Sequence, residues 1–504
     1  MDKGGSSLPK KLPIFYSALL LTCVNLLLRF VGTSFQVYIS AALGAAGVGL
    51  LQLVMSVGSL AMVAGMAGIR TATMYLTAEE LGRGKSGNVT WVLSGCFAYS
   101  VLCSGAIAAG VYCFAPQIAE FWIGDGRTVE ALRLFASFLP VTCLCGVMTG
   151  YFTAANRIGT LAAVEIAEQF CSMGLTMLAL TLWAGDDAGK ACQCVILGSC
   201  AGCLLTLGCL VFLRLRERTE PGPRIPVRSR ILQAAVPLAA ADVLKSGINT
   251  TENLMVPKRL AMNAAVESPL AAFGIVSGMV FPVLMFPACI LFGLAELLIP
   301  ELARCAAAGS RNRIRYLVRR SLKVAMLYGL LFCGLMFLLA EPLCLSLYDN
   351  AEAGRYLKLY SLLVPMLYCD AITDAMTKGL GQQKACVRYN ILTSAMDVVF
   401  LYILLPNYGM DGYFASFLVT HLVNFCLSLR RLLKISGETI PFYVPALSAA
   451  GAMAAVWTAS RLDQPLSCIA YVLLLGSLLY LLKIIRREDL HWIKGLIRNK
   501  NTLP

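Results

Sequence analysis

The chain has 504 residues, a net charge of +14, 58% hydrophobic residues and only 14% charged residues. Apolar runs of about 18 or more residues recur from end to end, and this is the length that a membrane-spanning helix needs. The composition therefore excludes a soluble multidomain protein, and the absence of alternating patterns excludes a β-barrel. We expect an all-α polytopic membrane protein.

Fourteen spans are predicted along the chain. They cover residues 13–40, 48–69, 89–113, 131–154, 159–183, 191–213, 231–257, 270–300, 322–340, 356–377, 386–405, 411–429, 440–460 and 466–482. Lysine and arginine are concentrated in alternate connections, which places both termini on the cytoplasmic side of the membrane. The basic excess then reflects topology and attraction to anionic lipids, and we expect no nucleic-acid partner.

The first half of the chain contributes one intramembrane cation and one intramembrane acid of interest. Arg29 lies within the first span, and Glu168 lies within the fifth. Between the first two spans, the glycine-rich stretch 44–49 predicts a tight turn. Ionisable residues within spans usually face a bundle interior or a water-filled cavity, so both residues are candidates for a transport pathway.

The seventh span carries four polar residues in its middle. They are Asp242, Lys245, Asn249 and Glu252. Their spacings of three, four and three residues place all four on one face of an α-helix. We expect this face to line a cavity, because an isolated charge at the centre of a bilayer is costly. An alternative interpretation is that Asp242 and Lys245 form an internal ion pair that only holds two helices together.

Further acids follow in later spans. Asp370 and Asp374 lie one turn apart on one face of span ten, and Asp397 lies in the middle of span eleven. The cations Arg29 and Lys245 suit a diphosphate. The acids suit a coupling Na⁺ or H⁺, or a cationic drug.

A weak internal repeat divides the chain into two lobes. The spacing from Gly150 to Glu168 equals that from Gly379 to Asp397. Two six-helix lobes related by a pseudo-twofold axis along the membrane normal would explain this repeat. The predicted boundaries are an N-lobe at 1–213, a cytoplasmic loop at 214–230, a C-lobe at 231–432, spans thirteen and fourteen at 433–485 and a cytoplasmic amphipathic tail at 486–504.

Catalytic and metal-binding motifs are missing from the sequence. There is no nucleophile elbow, no H-E-x-x-H and no Walker lysine. The 20 cysteines lie mostly in apolar helices, and the chain has only two histidines. We therefore expect neither an enzyme nor a metal site, and no cofactor beyond a coupling ion.

Several motifs taken together resemble one family over almost the whole chain. They are Arg29 to Gly32, Leu43 to Leu50, Gly150 to Phe152, Asn249-x-x-Glu252 with Val256 to Leu260, Gly278-Met279-x-x-Pro282, Ile299 to Glu301, and Gly379 to Gln382. This pattern is similar to the multidrug/oligosaccharidyl-lipid/polysaccharide (MOP) exporter superfamily. Within that superfamily it resembles the stage V sporulation protein B-like branch of polysaccharide and lipid II flippases.

The resemblance implies a rocker-switch transporter with two six-helix lobes around a cavity, followed by two further helices. It implies that a polyprenyl-diphosphate-linked muropeptide or oligosaccharide is carried for the cell wall, the spore cortex or a polysaccharide, and that Arg29 meets the diphosphate. The expected partners are this lipid-linked cargo, membrane lipids and wall- or polysaccharide-synthesis enzymes, and the chain is expected to be a monomer. Two alternatives stay open, a cation-coupled multidrug antiporter and a non-transporting scaffold for wall synthesis.

Overall fold

The computed structural model describes residues 14–83, 87–185, 187–216, 227–439, 443–464, 466–482 and 484. All regular secondary structure in these ranges is helical, which confirms the all-α membrane fold. Seven of the described helices are long and apolar enough to cross a membrane, or eight if a pair bent by 64° at residues 286–287 counts as one span. The number of fourteen spans therefore stays a prediction.

One compact unit contains the described parts of residues 1–278 together with residues 397–413. Its helices are α1 (Ile14–Met66), α2 (Ile69–Gly82), α3 (Asn88–Cys113), α4 (Ala115–Gln117), α5 (Val129–Ala154), α6 (Ile158–Ala179), α7 (Ala188–Leu215), α8 (Arg228–Leu260) and α9 (Pro269–Gly274). Helix α1 packs against α3 and against every helix from α5 to α9. The first two turns of α8 join the core at Ile231 and Ala235, which pack with buried residues of α2, α3 and α5.

The second compact unit contains the described parts of residues 279–396 and 414–504. Its helices are α10 (Phe281–Met285), α11 (Ala288–Ala307), α12 (Arg311–Tyr348), α13 (Ala351–Ser361), α14 (Val364–Gly379), α15 (Gln383–Ser436) outside residues 397–413, α16 (Tyr443–Ala459) and α17 (Leu466–Leu481). Helix α12 packs against α13, α14, α16 and α17. The buried Tyr471 hydroxyl fixes α17 to α12 by donating to the Leu330 carbonyl at 2.6 Å.

Two glycines interrupt the longest helices. Gly44 (φ 67°) divides α1 into arms 14–43 and 45–66, and Gly409 (φ 58°) divides α15 into arms 383–408 and 410–436. Positive φ favours glycine because it has no Cβ. The turn predicted over residues 44–49 is therefore narrower than expected, since the chain is helical again from Ala45 onwards.

The boundary between the two compact units does not coincide with the predicted boundary between the lobes at residues 213–231. Helix α8, which the repeat assigns to the C-lobe, packs on α1, α2 and α3. The lobe boundaries rest on topology and stay a prediction. Residues 217–226 of the predicted inter-lobe loop and the whole predicted tail, 486–504, lie outside the described residues.

Candidate transport site

The four polar residues of the seventh span lie in the unbroken helix α8. Asp242, Lys245 and Asn249 are exposed, whereas Glu252 is half-buried. Asp242 and Lys245 form no ion pair with each other, and neither side chain has a polar partner among the described residues. The ion pair of the alternative interpretation is therefore not formed, and a role of these two charges in a cavity stays a prediction.

Helix α8 is fixed in rotation by hydrogen bonds on the adjoining face. The Thr250 hydroxyl donates to the Ser56 carbonyl at 3.0 Å, and the Asn253 amide donates to the Ser56 hydroxyl at 3.0 Å. Both bonds join α8 to the second arm of α1. Because successive residues turn by about 100° around a helix, these bonds also set the direction of the polar face that carries Lys245.

Glu252 meets Asp397 of α15. Their carboxyl groups lie close enough to interact directly with each other, and the Asp397 residue is only 6% exposed. A carboxylate accepts hydrogen bonds but donates none, so a hydrogen bond between these two groups would need one proton on the pair. The buried Tyr413 ring lies close enough to interact electrostatically with both carboxyls.

The structure describes the side chain of Glu168 but not that of Arg29. Arg29 lies on α1, but its side chain is outside the described residues, so its role at a diphosphate stays a prediction. The Glu168 carboxylate accepts a hydrogen bond from the Thr206 hydroxyl at 2.6 Å and from the Cys203 thiol at 3.8 Å. Both partners are on α7, so Glu168 joins two helices of its own unit, and a transport role for it stays a prediction.

Asp370 and Asp374 line a cavity in the second unit, with a volume of about 210 Å³. The Asn424 amide donates to Asp370 Oδ2 at 3.1 Å, and Lys378 Nζ lies 2.5 Å from Asp374 Oδ2. The full lining is Met285, Ala288, Leu291, Phe292, Leu367, Tyr368, Asp370, Ala371, Asp374, Asn390, His421 and Asn424. The one-turn spacing of the two aspartates correctly predicts that they share one face.

Several residues at these sites were not predicted from the sequence. Tyr413 lies beside the carboxyl pair, and Asn390, His421 and Asn424 line the cavity. Their signal was weak, because a single amide or imidazole in an apolar helix is ordinarily a packing residue. Among the described residues, no three histidine, cysteine or acidic side chains come together in a way that could hold a metal ion.

Comparison with known proteins gives a consistent result. The chain is 21% identical over 411 residues to stage V sporulation protein B of Bacillus subtilis (strain 168), with 78% of each chain covered. The structure is similar to a lipid II flippase MurJ in an inward closed conformation (TM-score 0.67, 13% identity, 95% of this chain and 100% of that chain covered). It is also similar to an inward-facing multidrug resistance MATE family transporter of the MOP superfamily (TM-score 0.63, 14% identity, 82% and 99% covered).

These similarities confirm the resemblance that the motifs indicated. The model of the MatE family matches residues 21–178 and 237–403, which is more than half of the chain. The matched segments include residues 237–260 of α8, with its polar face, and reach Asp397 in α15. The chain therefore belongs to the MatE family.

Proposed function

We propose that the chain is a flippase that moves a polyprenyl-diphosphate-linked saccharide across a bacterial cell membrane by alternating access. The observation that carries this proposal is the exposed ammonium of Lys245, which has no polar partner among the described residues although it lies in the middle of a membrane-length helix. A charge in such a place needs a counter-ion or water. A diphosphate supplies a stronger and larger anionic partner than any neutral cargo does.

The residues around Lys245 suit the rest of such a headgroup. Asn249 lies one turn further along the same face and offers both a donor and an acceptor. Asp242 lies one turn before Lys245 and can accept hydrogen bonds from sugar hydroxyls. In this proposal Arg29 provides a second cation for the diphosphate. The names of the relatives, a stage V sporulation protein and a lipid II flippase, support a cargo of this class.

The Glu252–Asp397 pair is the proposed coupling site. It lies one turn from Asn249, on the same face of α8 that would meet the headgroup. A Na⁺ ion would take carboxylate oxygens as ligands only after the shared proton has left, so proton and sodium binding exclude each other here. Ion exchange at this pair would alter the charge beside the cargo, which is how the ion gradient would drive transport.

The test uses proteoliposomes that contain the purified protein and fluorescent lipid II. One measures how fast the label becomes accessible from the opposite leaflet, with and without Na⁺ and pH gradients. We expect Lys245→Ala to slow this movement by about tenfold or more, the effect of losing roughly 1.4 kcal/mol of charged hydrogen bonding. Lys384→Ala, which removes an exposed lysine at the start of α15, is the matched control and should transport normally.

Two results would count against the proposal. Equal flipping rates in the Lys245→Ala and Lys384→Ala variants would show that α8 does not carry the proposed anion site. If no protein-dependent movement occurs under any gradient, lipid II is not the cargo. In that case a cation-coupled multidrug antiporter becomes the better candidate, since the intramembrane acids predicted from the sequence outnumber the two intramembrane cations, Arg29 and Lys245. That function predicts drug resistance that disappears when the ion gradient is collapsed.

A further inference from the structure

The cavity of the second unit has the size of a small ring rather than of a drug. Its volume of about 210 Å³ lies below the range of roughly 300–1,000 Å³ that is usual for drug-sized ligands. Its walls are formed by residues of α10, α11, α14 and α15. One ring with a few substituents fits this volume, whereas a bare metal ion would leave most of it empty.

Two oxygen atoms in the cavity wall are ready to accept hydrogen bonds. Asp370 Oδ1 and Asn424 Oδ1 are both buried, and neither has a hydrogen-bond donor among the described residues. The Asn424 amide nitrogen is already used, because it donates to Asp370 Oδ2. Buried acceptors without a donor are destabilising. A ligand that brings O–H or N–H groups to both oxygens would remove that cost.

The other polar groups in the wall are mixed in character. Asn390 and His421 each carry donors and acceptors. Lys378 forms an ion pair with Asp374, whereas Asp370 is hydrogen-bonded to the Asn424 amide. A simple cation would bind only to acceptor atoms, and the N–H donors of Asn390 would then have no partner on the ligand. Hydroxyl groups both donate and accept, so they match the whole set.

Aromatic side chains complete the wall. Tyr368 is only 1% exposed and its hydroxyl donates to the Leu284 carbonyl at 2.9 Å, so it closes the wall without offering a polar group to the cavity. Phe292 adds a second apolar ring, and the His421 ring stacks on Phe417 with centroids 4.1 Å apart. Flat apolar surfaces beside hydrogen-bonding groups suit a ring that has apolar C–H faces and polar edges.

We propose that this cavity binds one neutral sugar ring, with Asp370 and Asn424 accepting hydrogen bonds from its hydroxyl or amide groups. The inference rests on the proposed function in one respect, since it takes the ring to be part of the lipid-linked cargo. It adds to that function a saccharide-recognition site in the second unit. Selectivity among cargoes with the same lipid and diphosphate would then depend on α14 and α15.

The experiment compares two probes on the full-length protein in nanodiscs. One probe is a fluorescent polyprenyl diphosphate that carries an amino-sugar disaccharide, and the other is the same lipid diphosphate without sugar. We expect Asn424→Leu to weaken binding of the sugar-bearing lipid by about tenfold, which corresponds to one lost hydrogen bond with a buried partner left unpaired. Binding of the sugar-free lipid should not change. Asn407→Leu, at an exposed asparagine of the first unit, is the matched control.

Asp370→Asn separates a sugar site from a cation site. It keeps an acceptor oxygen and the side-chain shape but removes the charge. A sugar site should lose less than the tenfold expected for Asn424→Leu, whereas a cation site should lose its ligand, for which ethidium is the probe. The proposal is overturned if ethidium binding depends on Asp370 while both lipids bind every variant equally.

A soluble methyl glycoside of an N-acetylated amino sugar keeps this test independent of the cargo. If the wild type binds neither lipid, the proposed cargo fails, and the glycoside then decides whether the cavity is a sugar site. Saturation transfer from protein to glycoside in the wild type, lost in Asn424→Leu but kept in Asn407→Leu, would support the site. No transfer in the wild type would overturn it.

Discussion

Arg230 joins the start of α8 to the end of α2 through Glu80. Its Nη1 donates to Glu80 Oε1 at 2.7 Å, and its Nη2 donates to Glu79 Oε2 at 2.7 Å. The Asn88 amide donates to the second oxygen of Glu80 at 2.9 Å, and the Glu80 side chain is only 2% exposed. The first turn of the helix that carries the candidate site is therefore tied to the preceding part of the chain by a buried, fully bonded carboxylate.

Removing Arg230 should destabilise the protein more than removing a neighbouring arginine. Arg230→Ala leaves Glu80 buried with its main cationic partner lost, which we expect to cost about 1–3 kcal/mol. Arg83→Ala is the control, because Arg83 is 56% exposed although it also pairs with Glu79 at 2.6 Å. An exposed pair of this kind contributes about 0–1 kcal/mol. The free energy of unfolding in mixed detergent micelles measures the effect of each variant. Equal losses of stability in the two variants would contradict the role given to Arg230 at Glu80.

The close approach of α2 to α8 makes a second prediction at Gly68. This glycine has φ 72°, and a Cβ added to it would lie 2.5 Å from the Ala235 carbonyl oxygen. Gly68→Ala should therefore cost about 1–3 kcal/mol through backbone strain and steric overlap. Gly82→Ala, at the end of α2 where a Cβ meets nothing within 4 Å, should be neutral or stabilising by up to about 1 kcal/mol. Similar losses in both variants, measured by thermal unfolding, would show that Gly68 is not a packing site.

A third prediction concerns pH and the connection before α5. The hydrogen bond from Arg127 lowers the pKa of Asp125, with Nη2 lying 2.6 Å from Oδ2. Because the folded-state pKa lies below the unfolded value of about 3.9, the stabilisation is present above that pH and is lost as the pH falls through the folded pKa. The Arg127 side chain is 57% exposed, so the contribution should stay below about 1 kcal/mol.

Asp125→Asn tests this pair. The variant should be slightly less stable than the wild type at pH 7, and the difference should disappear as the pH falls below about 4. Thermal unfolding at a series of pH values measures it. Glu130→Gln is the control, because Glu130 is 64% exposed and pairs with Arg133 at 3.1 Å. A difference for Asp125→Asn that persists unchanged at pH 3 would point to the capping of the Arg127 amide, not to charge.

The sequence predicted local features better than partnerships. The seventh span was predicted at 231–257 and the helix covers Arg228–Leu260, because apolar length and helical periodicity are local signals. The glycine-rich stretch 44–49 predicted a break, which the structure places at Gly44, where φ is positive. In contrast, Arg230 is 150 residues from Glu80, and Asn424 is 54 residues from Asp370. Such pairs depend on tertiary packing, which no single-sequence pattern specifies.

The same limit explains how the charges of α8 were interpreted. The spacing of Asp242, Lys245 and Glu252 correctly placed them in one helix and on one face. Periodicity does not show whether two neighbours on a face point at each other, and Asp242 and Lys245 do not form a pair. Nor does it reveal that the partner of Glu252 is Asp397, since that carboxyl comes from a helix much later in the chain.

The Glu252–Asp397 pair leads to the prediction that bears most directly on transport. In Asp397→Asn an amide replaces the carboxyl, so a hydrogen bond to Glu252 is retained while one titratable group is lost. If the pair couples an ion gradient to cargo movement, this variant should still flip its cargo at a low rate, but that rate should no longer respond to a pH or Na⁺ gradient. A shared proton needs two groups that can ionise, and only Glu252 would remain.

Asp411→Asn is the matched control, because Asp411 is an exposed aspartate on the same helix. It should keep both the rate and the gradient response of the wild type. The flipping rate in proteoliposomes, measured with no gradient, with a pH gradient and with a Na⁺ gradient, separates the outcomes. A gradient response that survives in Asp397→Asn would assign coupling to another acid. Acceleration of the wild type by a pH gradient alone would identify the proton of the pair as the coupling ion, whereas acceleration by Na⁺ alone would mean that the cation displaces this proton during the cycle.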